Sequence, residues 1–343
     1  MLKKEMTGNG STSQMQSSPR FPSSLRHILG GAHPATLTLR GVLFFYLALV
    51  IYFWAVADHF MTYANWIDVI STASVVLIVS LGQALTIISG GFDLSVGGVV
   101  PLGAVVFAEL TSHGIPALPS LLLVIAVGVA VGIFNAFVVG QLGVNPMIAT
   151  LGTLSVTGGI AFTIANGVTV QLPASAGFLA NNGPWFIPYY VFVAIGVSIL
   201  VHLLLTNTVL GRRIYVVGGN AEAARLAGIS VGGVQLAVYG LSGALAALAG
   251  VIYASQLLAA AGDVGSDLTL TSIAAVVLGG AALTGGIGGV PGTLLGVLVL
   301  GTLSDGMNLM RMPAFYQTIV TGAVLLAAVG FAQVQGRLLG RRS

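Results

Sequence analysis

Gly211-Arg-Arg-Ile-Tyr-Val-Val-Gly-Gly-Asn-Ala-Glu-Ala-Ala-Arg-Leu-Ala-Gly-Ile-Ser230 is the one charged interior island in a chain that is otherwise almost wholly apolar between residues 41 and 335. Its local grammar is that of a short capped helix over residues 221–227. Asn220 suits the N-cap, Glu222 complements the positive end of the helix dipole, and Arg225 complements the negative end. Gly228 suits the left-handed position that stops the helix, and Gly218 and Gly219 shape its approach. Ala223, Ala224 and Leu226 leave a smooth apolar face, and Glu222 can pair with Arg225 at i,i+3. So short a helix cannot stand alone. It must rest on its own membrane domain or on a second protein.

Outward from the island, the chain reads as membrane scaffold. Of its 343 residues 56% are hydrophobic and 6% charged, against roughly 25% charged in a soluble domain. With no cysteine there is neither a disulfide framework nor a thiolate metal site, and His27, His33, His59, His113 and His202 never fall at i,i+4 spacing. No cofactor is expected. The basic residues cluster at the two ends and in the island, which is a membrane-orientation pattern and not a nucleic-acid footprint.

A span needs about 20 apolar residues. That rule marks ten, at 42–58, 67–89, 94–112, 118–140, 146–166, 187–205, 234–258, 271–286, 290–310 and 314–335. The eighth runs into Gly285-Gly-Ile-Gly-Gly-Val-Pro291 and reads as broken or partial. The expected fold is an all-α membrane protein, a polytopic bundle of about ten transmembrane helices with one or two broken. Residues 1–36, rich in Ser, Pro, Thr and Gly, read as a disordered cytoplasmic tail. Residues 37–335 form the transmembrane domain with a cytoplasmic loop at 206–233, and 336–343 form a basic cytoplasmic tail. With six spans before the island, all cations except Arg311 fall on the cytoplasmic side, where the positive-inside rule puts them.

Gly128-x-x-x-Gly132 and Gly292-x-x-x-Gly296 carry the small-residue spacing of close helix contact in lipid. Asp93 opens a span within Gly90-Gly-Phe-Asp-Leu-Ser-Val-Gly-Gly98. Its leading reading is an N-cap bonded to the backbone N–H groups of Ser95 and Val96; direct contact with a solute is the other. Ser95, Gln83, Asn135 and Asn308 are further polar groups inside spans, either on a translocation path or bonding helix to helix. Neutral amides suit a polyhydroxylated solute better than an ion. A Gly-rich echo between 89–98 and 284–292 hints at an internal duplication. Gly240-Leu-Ser242-Gly243 looks like an intramembrane serine protease motif, but no histidine follows His202 to activate the hydroxyl. No lysine follows Lys4, so there is no P-loop. If ATP drives this protein, another chain binds it.

Ser89-Gly-Gly-Phe-Asp-Leu-Ser-Val-Gly97, Leu210 to Ile229 of the island, Ser272-Ile-Ala-Ala-Val-Val-Leu-Gly-Gly280, Gly292-Thr-Leu-Leu-Gly-Val-Leu-Val-Leu-Gly301 and Pro146-Met-Ile-Ala-Thr-Leu151 together resemble the permease subunits of bacterial ABC importers for monosaccharides. The resemblance covers about residues 42–335. It implies a second permease chain, identical or not, cytoplasmic ATP-binding subunits, a periplasmic or extracellular sugar-binding protein, and a bacterial inner-membrane location with both termini cytoplasmic. It also makes Gly218, Gly219, Asn220, Glu222, Ala223, Ala224, Arg225, Leu226 and Gly228 the element that couples to the ATPase. Many members of that group carry an acidic pair where this chain has Thr269 and Thr271, at an outward-facing entrance. The alternative reading is a secondary transporter or channel that works without an ATPase.

Overall fold

The computed structural model describes residues 34–313, 315–324, 326 and 330. The tails expected at 1–36 and 336–343 lie almost wholly outside the described residues. Helices follow in the order α1 Pro34–Val56, α2 Tyr63–Ile88, α3 Val96–Ser112, α4 Ala117–Gly140, α5 Pro146–Ile164, α6 Tyr189–Asn207, α7 Val209–Gly219, α8 Ala221–Leu226, α9 Val231–Leu257, α10 Leu268–Leu278 and α11 Val290–Leu309. Seven of them, α1, α2, α4, α5, α6, α9 and α11, are long and apolar enough to cross a membrane. The shorter apolar helices α3 and α10 stand at the third and eighth expected spans. Residues 315–324 are helical; the rest of the tenth expected span lies mostly outside the described residues.

Six helices thus precede the island. The eighth span is partial, as its glycines indicate: α10 holds 11 residues, about 16 Å at 1.5 Å per residue, too short for a hydrocarbon layer about 30 Å thick. Residues 279–289 then run without helix to Val290. Such backbone survives at membrane depth only where protein covers it, and α10 packs against α2 and α11.

Two helices form the centre. The apolar windows of α2, α11 and α9 are 78%, 67% and 61% buried, whereas that of α1 is 6% buried, and α2 and α9 are the two that most other helices pack against. Around α9 lie α2, α3 and α4, and around α2 lie α6, α10 and α11. Small residues set these distances. A Cβ at Gly128 or Gly132 would overlap the backbone of α9 at Gly243 and Tyr239, and one at Gly292 or Gly296 would overlap α10. Both small-residue pairs are therefore packing seams, where van der Waals contact replaces the hydrophobic drive that lipid cannot supply.

The ends of the bundle differ. At one, Val170–Gln171 pairs antiparallel with Ala259–Ala260, next to 3-10 turns at Ala174–Ala180 and Pro184–Phe186. At the other lie the island, the end of α2 and the 279–289 segment. The two Gly-rich segments of the echo, 89–98 and 284–292, touch, with Gly90 beside Gly285. Their shared glycines serve one backbone contact. Asp93-Leu94-Ser95 stands just before α3, and Asp267-Leu268-Thr269 spans the start of α10. They meet where the Thr269 hydroxyl donates to the Leu94 carbonyl at 3.4 Å. Thr269 is 5% exposed and closes this junction; Thr271 bonds back to the Asp267 carbonyl.

Candidate functional site

The island holds two helices where sequence patterning marks one. Thr208 caps α7, its Oγ1 accepting from Gly211 N at 3.0 Å. The buried face of α7 is Gly211, Ile214, Val217 and Gly218. That three-and-four spacing was present in the sequence, but the flanking Arg212, Arg213 and paired glycines read as loop.

After α7, Asn220 turns extended and its Oδ1 accepts from Ala223 N at 2.9 Å, capping α8. Arg225 Nη1 donates to Glu222 Oε2 at 2.8 Å. Gly228 takes φ +79, and Ile229 N donates to Ala224 O at 2.9 Å, a left-handed stop. Within α8 only Ala224 is buried. Leu226 is 83% exposed, and Glu222, Ala223 and Arg225 are exposed beside it. The result is a small, capped, apolar-tipped projection.

The projection is tied to the bundle through α7. A Cβ at Gly218 would overlap the Ile88 carbonyl and the Gly286 amide, and Gly286 N itself donates to Ile88 O at 2.9 Å. Only a glycine lets these three backbones meet. Tyr215 adds a second tie, its hydroxyl donating to Gly288 O at 2.9 Å. Burial pushes the Tyr215 phenol above its ordinary pKa, so it stays a donor. The exposed Gly219 completes the turn into Asn220. The island thus contacts the end of α2 and the segment between α10 and α11 together.

Inside the bundle a polar cluster gathers around residues 92–95. Asp93 is 0% exposed. It is not the N-cap of α3; Ser95 holds that place. One carboxylate oxygen accepts from the Ser95 amide at 3.0 Å and from the Ser95 hydroxyl. The other accepts from the Ser242 hydroxyl of α9 at 2.7 Å. The expected bond from Val96 N is replaced by this long-range partner. Ser95 Oγ accepts from Asn135 Nδ2 at 2.8 Å, and Asn135 Oδ1 accepts from Thr153 Oγ1 at 2.6 Å. Thr150 accepts from Leu94 N at 3.0 Å, and the Tyr239 hydroxyl donates to Phe92 O at 3.2 Å. Among the described residues no cation pairs with Asp93.

Asp93, Ser95 and Asn135 therefore come together. Gln83 and Asn308 do not join them. Gln83 is 0% exposed, and neither atom of its amide has a partner among the described residues. Asn308 is exposed at the end of α11 and accepts from Gln317 at 2.7 Å. Sequence reasoning missed Tyr239, Thr150 and Thr153, and it met Ser242 only as part of a rejected protease motif. No group of three or more metal-ligating side chains occurs among the described residues.

A multispan bundle with two short helices meeting inside it and a capped, exposed projection at one end is an architecture that membrane transport subunits use. Residues 65–329 match the family described as the permease component of branched-chain amino acid transport systems, and the chain belongs to it. It is 36% identical over 271 residues to a probable ABC transporter permease protein of Sinorhizobium fredii, covering 78% of this chain and 81% of that one. To the ribose import permease protein of Escherichia coli K12 it is 36% identical over 282 residues, 80% of this chain and 87% of that one. To the L-arabinose transport system permease protein of the same strain it is 34% identical over 282 residues, 80% and 84% of the two chains. No solved structure gives a significant match. Membership implies ATP-binding and substrate-binding partners.

Proposed function

We propose that this chain is the permease of a binding-protein-dependent importer for a monosaccharide or related polyol, working as one of two permease chains in a bacterial inner membrane. ATP is hydrolysed by separate cytoplasmic subunits, and α8 is the element they grip. The observation that carries this reading is the exposed, capped α8, whose neighbour α7 is fixed to the ends of α2 and of the 279–289 segment. A push on α8 reaches both segments through Gly218 and Tyr215. Lipid surrounds α1 and the outward faces of α4, α5 and α6, and both termini are cytoplasmic.

The buried cluster at Asp93 acts as a structural joint in this scheme, because its members spend their hydrogen bonds on one another. The substrate class, a sugar, follows the relatives at 34–36% identity, which are named for ribose and arabinose. The test is Leu226→Asp beside Glu222→Ala/Arg225→Ala, in the complete importer. Membrane insertion should stay normal, while co-purification of the ATP-binding subunit and its stimulation by the binding protein fall together. Transport by vesicles that hold this chain alone would overturn the reading.

A further inference from the structure

At the end of the bundle away from the island, a cavity of about 430 Å³ opens between α2, α6, α9 and the 174–180 turn. Asp68, Ser71, Thr72, Tyr190, Tyr253 and Gln256 line it. Its innermost lining residue on α2, Val75, lies 12 positions along from Tyr63, about 18 Å at the helical rise. The volume falls within the range of small-molecule sites, but the lining departs from the usual apolar majority. It offers one carboxylate, two aliphatic hydroxyls, two phenols and one amide.

None of these six side chains has a hydrogen-bond partner among the described residues. Other helix hydroxyls behave otherwise: Ser74, one turn from the cavity lining on α2, and Thr111, Ser120 and Thr157 elsewhere in the bundle turn theirs back to carbonyls of the preceding turn. Tyr190 is 5% exposed, and it too lines the cavity with no partner for its hydroxyl. Asp68 and Thr72 are exposed at the mouth, while Ser71, Tyr253 and Gln256 are half-buried and Tyr190 is buried; unpartnered polar groups at such depth await a ligand or water.

The chemistry narrows the ligand. Asp68 only accepts, the hydroxyls and the amide both donate and accept, and the two phenol rings offer flat apolar faces. No cationic side chain lines the cavity, which disfavours a phosphorylated or acidic solute. We propose that this cavity is a binding subsite for a neutral polyhydroxylated solute, a free sugar, entered from the face opposite α8. The proposal rests on the sugar-permease reading and adds the residues that hold the solute.

The test uses the fact that the chain has no cysteine. Ser71→Cys, Thr72→Cys and, as an outside reference, Val168→Cys are each labelled with a membrane-impermeant thiosulfonate in vesicles carrying the complete importer. The common aldopentoses and aldohexoses are added in turn. One of them should slow labelling of both cavity thiols at least fivefold and leave the reference unchanged. Tyr253→Phe or Gln256→Leu, added to Ser71→Cys, should raise the half-protecting concentration about three- to tenfold, the scale of one lost hydrogen bond.

Labelling that no sugar slows would overturn the proposal, making the cavity a water-filled recess. So would cavity thiols that never react while Val168→Cys does, or protection by a cationic solute such as L-arginine alone. ATP-dependent uptake in the same vesicles separates the two readings. If uptake persists and protection is absent, only the subsite falls; if uptake needs no ATPase, the importer reading falls whatever the thiols do.

Discussion

Asp93 holds a carboxylate at 0% exposure with hydroxyl and amide donors around it and, among the described residues, no cation. A buried group costs most when one partner is deleted and its own atom stays behind. Ser242→Ala strands one carboxylate oxygen, so it should lower stability by about 1–3 kcal/mol; thermal unfolding in detergent reads this, and an unchanged midpoint would refute the joint. Gln83 is the opposite case, already without partners on either amide atom. Gln83→Leu should therefore raise the unfolding midpoint, and a drop in uptake alongside it would mark the amide as kept for transport. A charge in an apolar run is conspicuous, so Asp93 could be singled out from sequence. Its partner Ser242 lies 149 positions away, and serines are too common in spans for any one to be picked out.

At the scale of the element, α8 was readable to within a residue because its signals are local: Asn220 before it, Gly228 after it, one acid and one base between. Its neighbour α7 was not, since Gly218 and Gly219 have poor helix propensity and only contact with Ile88 and Gly286 explains Gly218. Gly218→Ala should cost at least about 1–3 kcal/mol as an overpacked contact and should reduce folded yield on size-exclusion. Tyr215→Phe keeps the ring and removes the bond to Gly288. It should leave yield near normal and weaken the dependence of ATP hydrolysis on the binding protein. Equal coupling in Tyr215→Phe would show that α7 does not transmit through that segment. The short α10 was legible as an interrupted span because Gly285 to Pro291 contain no helix former. The start of α3 beside α10 was not legible, because depth in the bilayer leaves no local mark.

For the whole molecule, hydropathy and the placement of cations were enough to fix the class, since lipid permits few backbone solutions. The order in which helices surround α2 and α9 was not recoverable from hydropathy, which reports that a segment is apolar and not what it touches. Orientation is open to a direct check on the cysteine-free chain. Arg225→Cys should react with an impermeant thiol reagent only in inside-out vesicles, and Trp185→Cys, at a site 74% exposed, only in right-side-out ones. The reverse pattern would invert every assignment of side.

The cluster around residues 92–95 also constrains how the bundle can move. Its bonds of 2.6 to 2.8 Å stitch α4 and α5 to the start of α3, and the start of α3 to α9. Sliding any of these helices by one residue would tear the stitching. Whatever swings during a transport cycle must carry these four as a solid slab, and the bending must fall on unwound backbone at 227–230 and 279–289, where no ladder of helical bonds has to break.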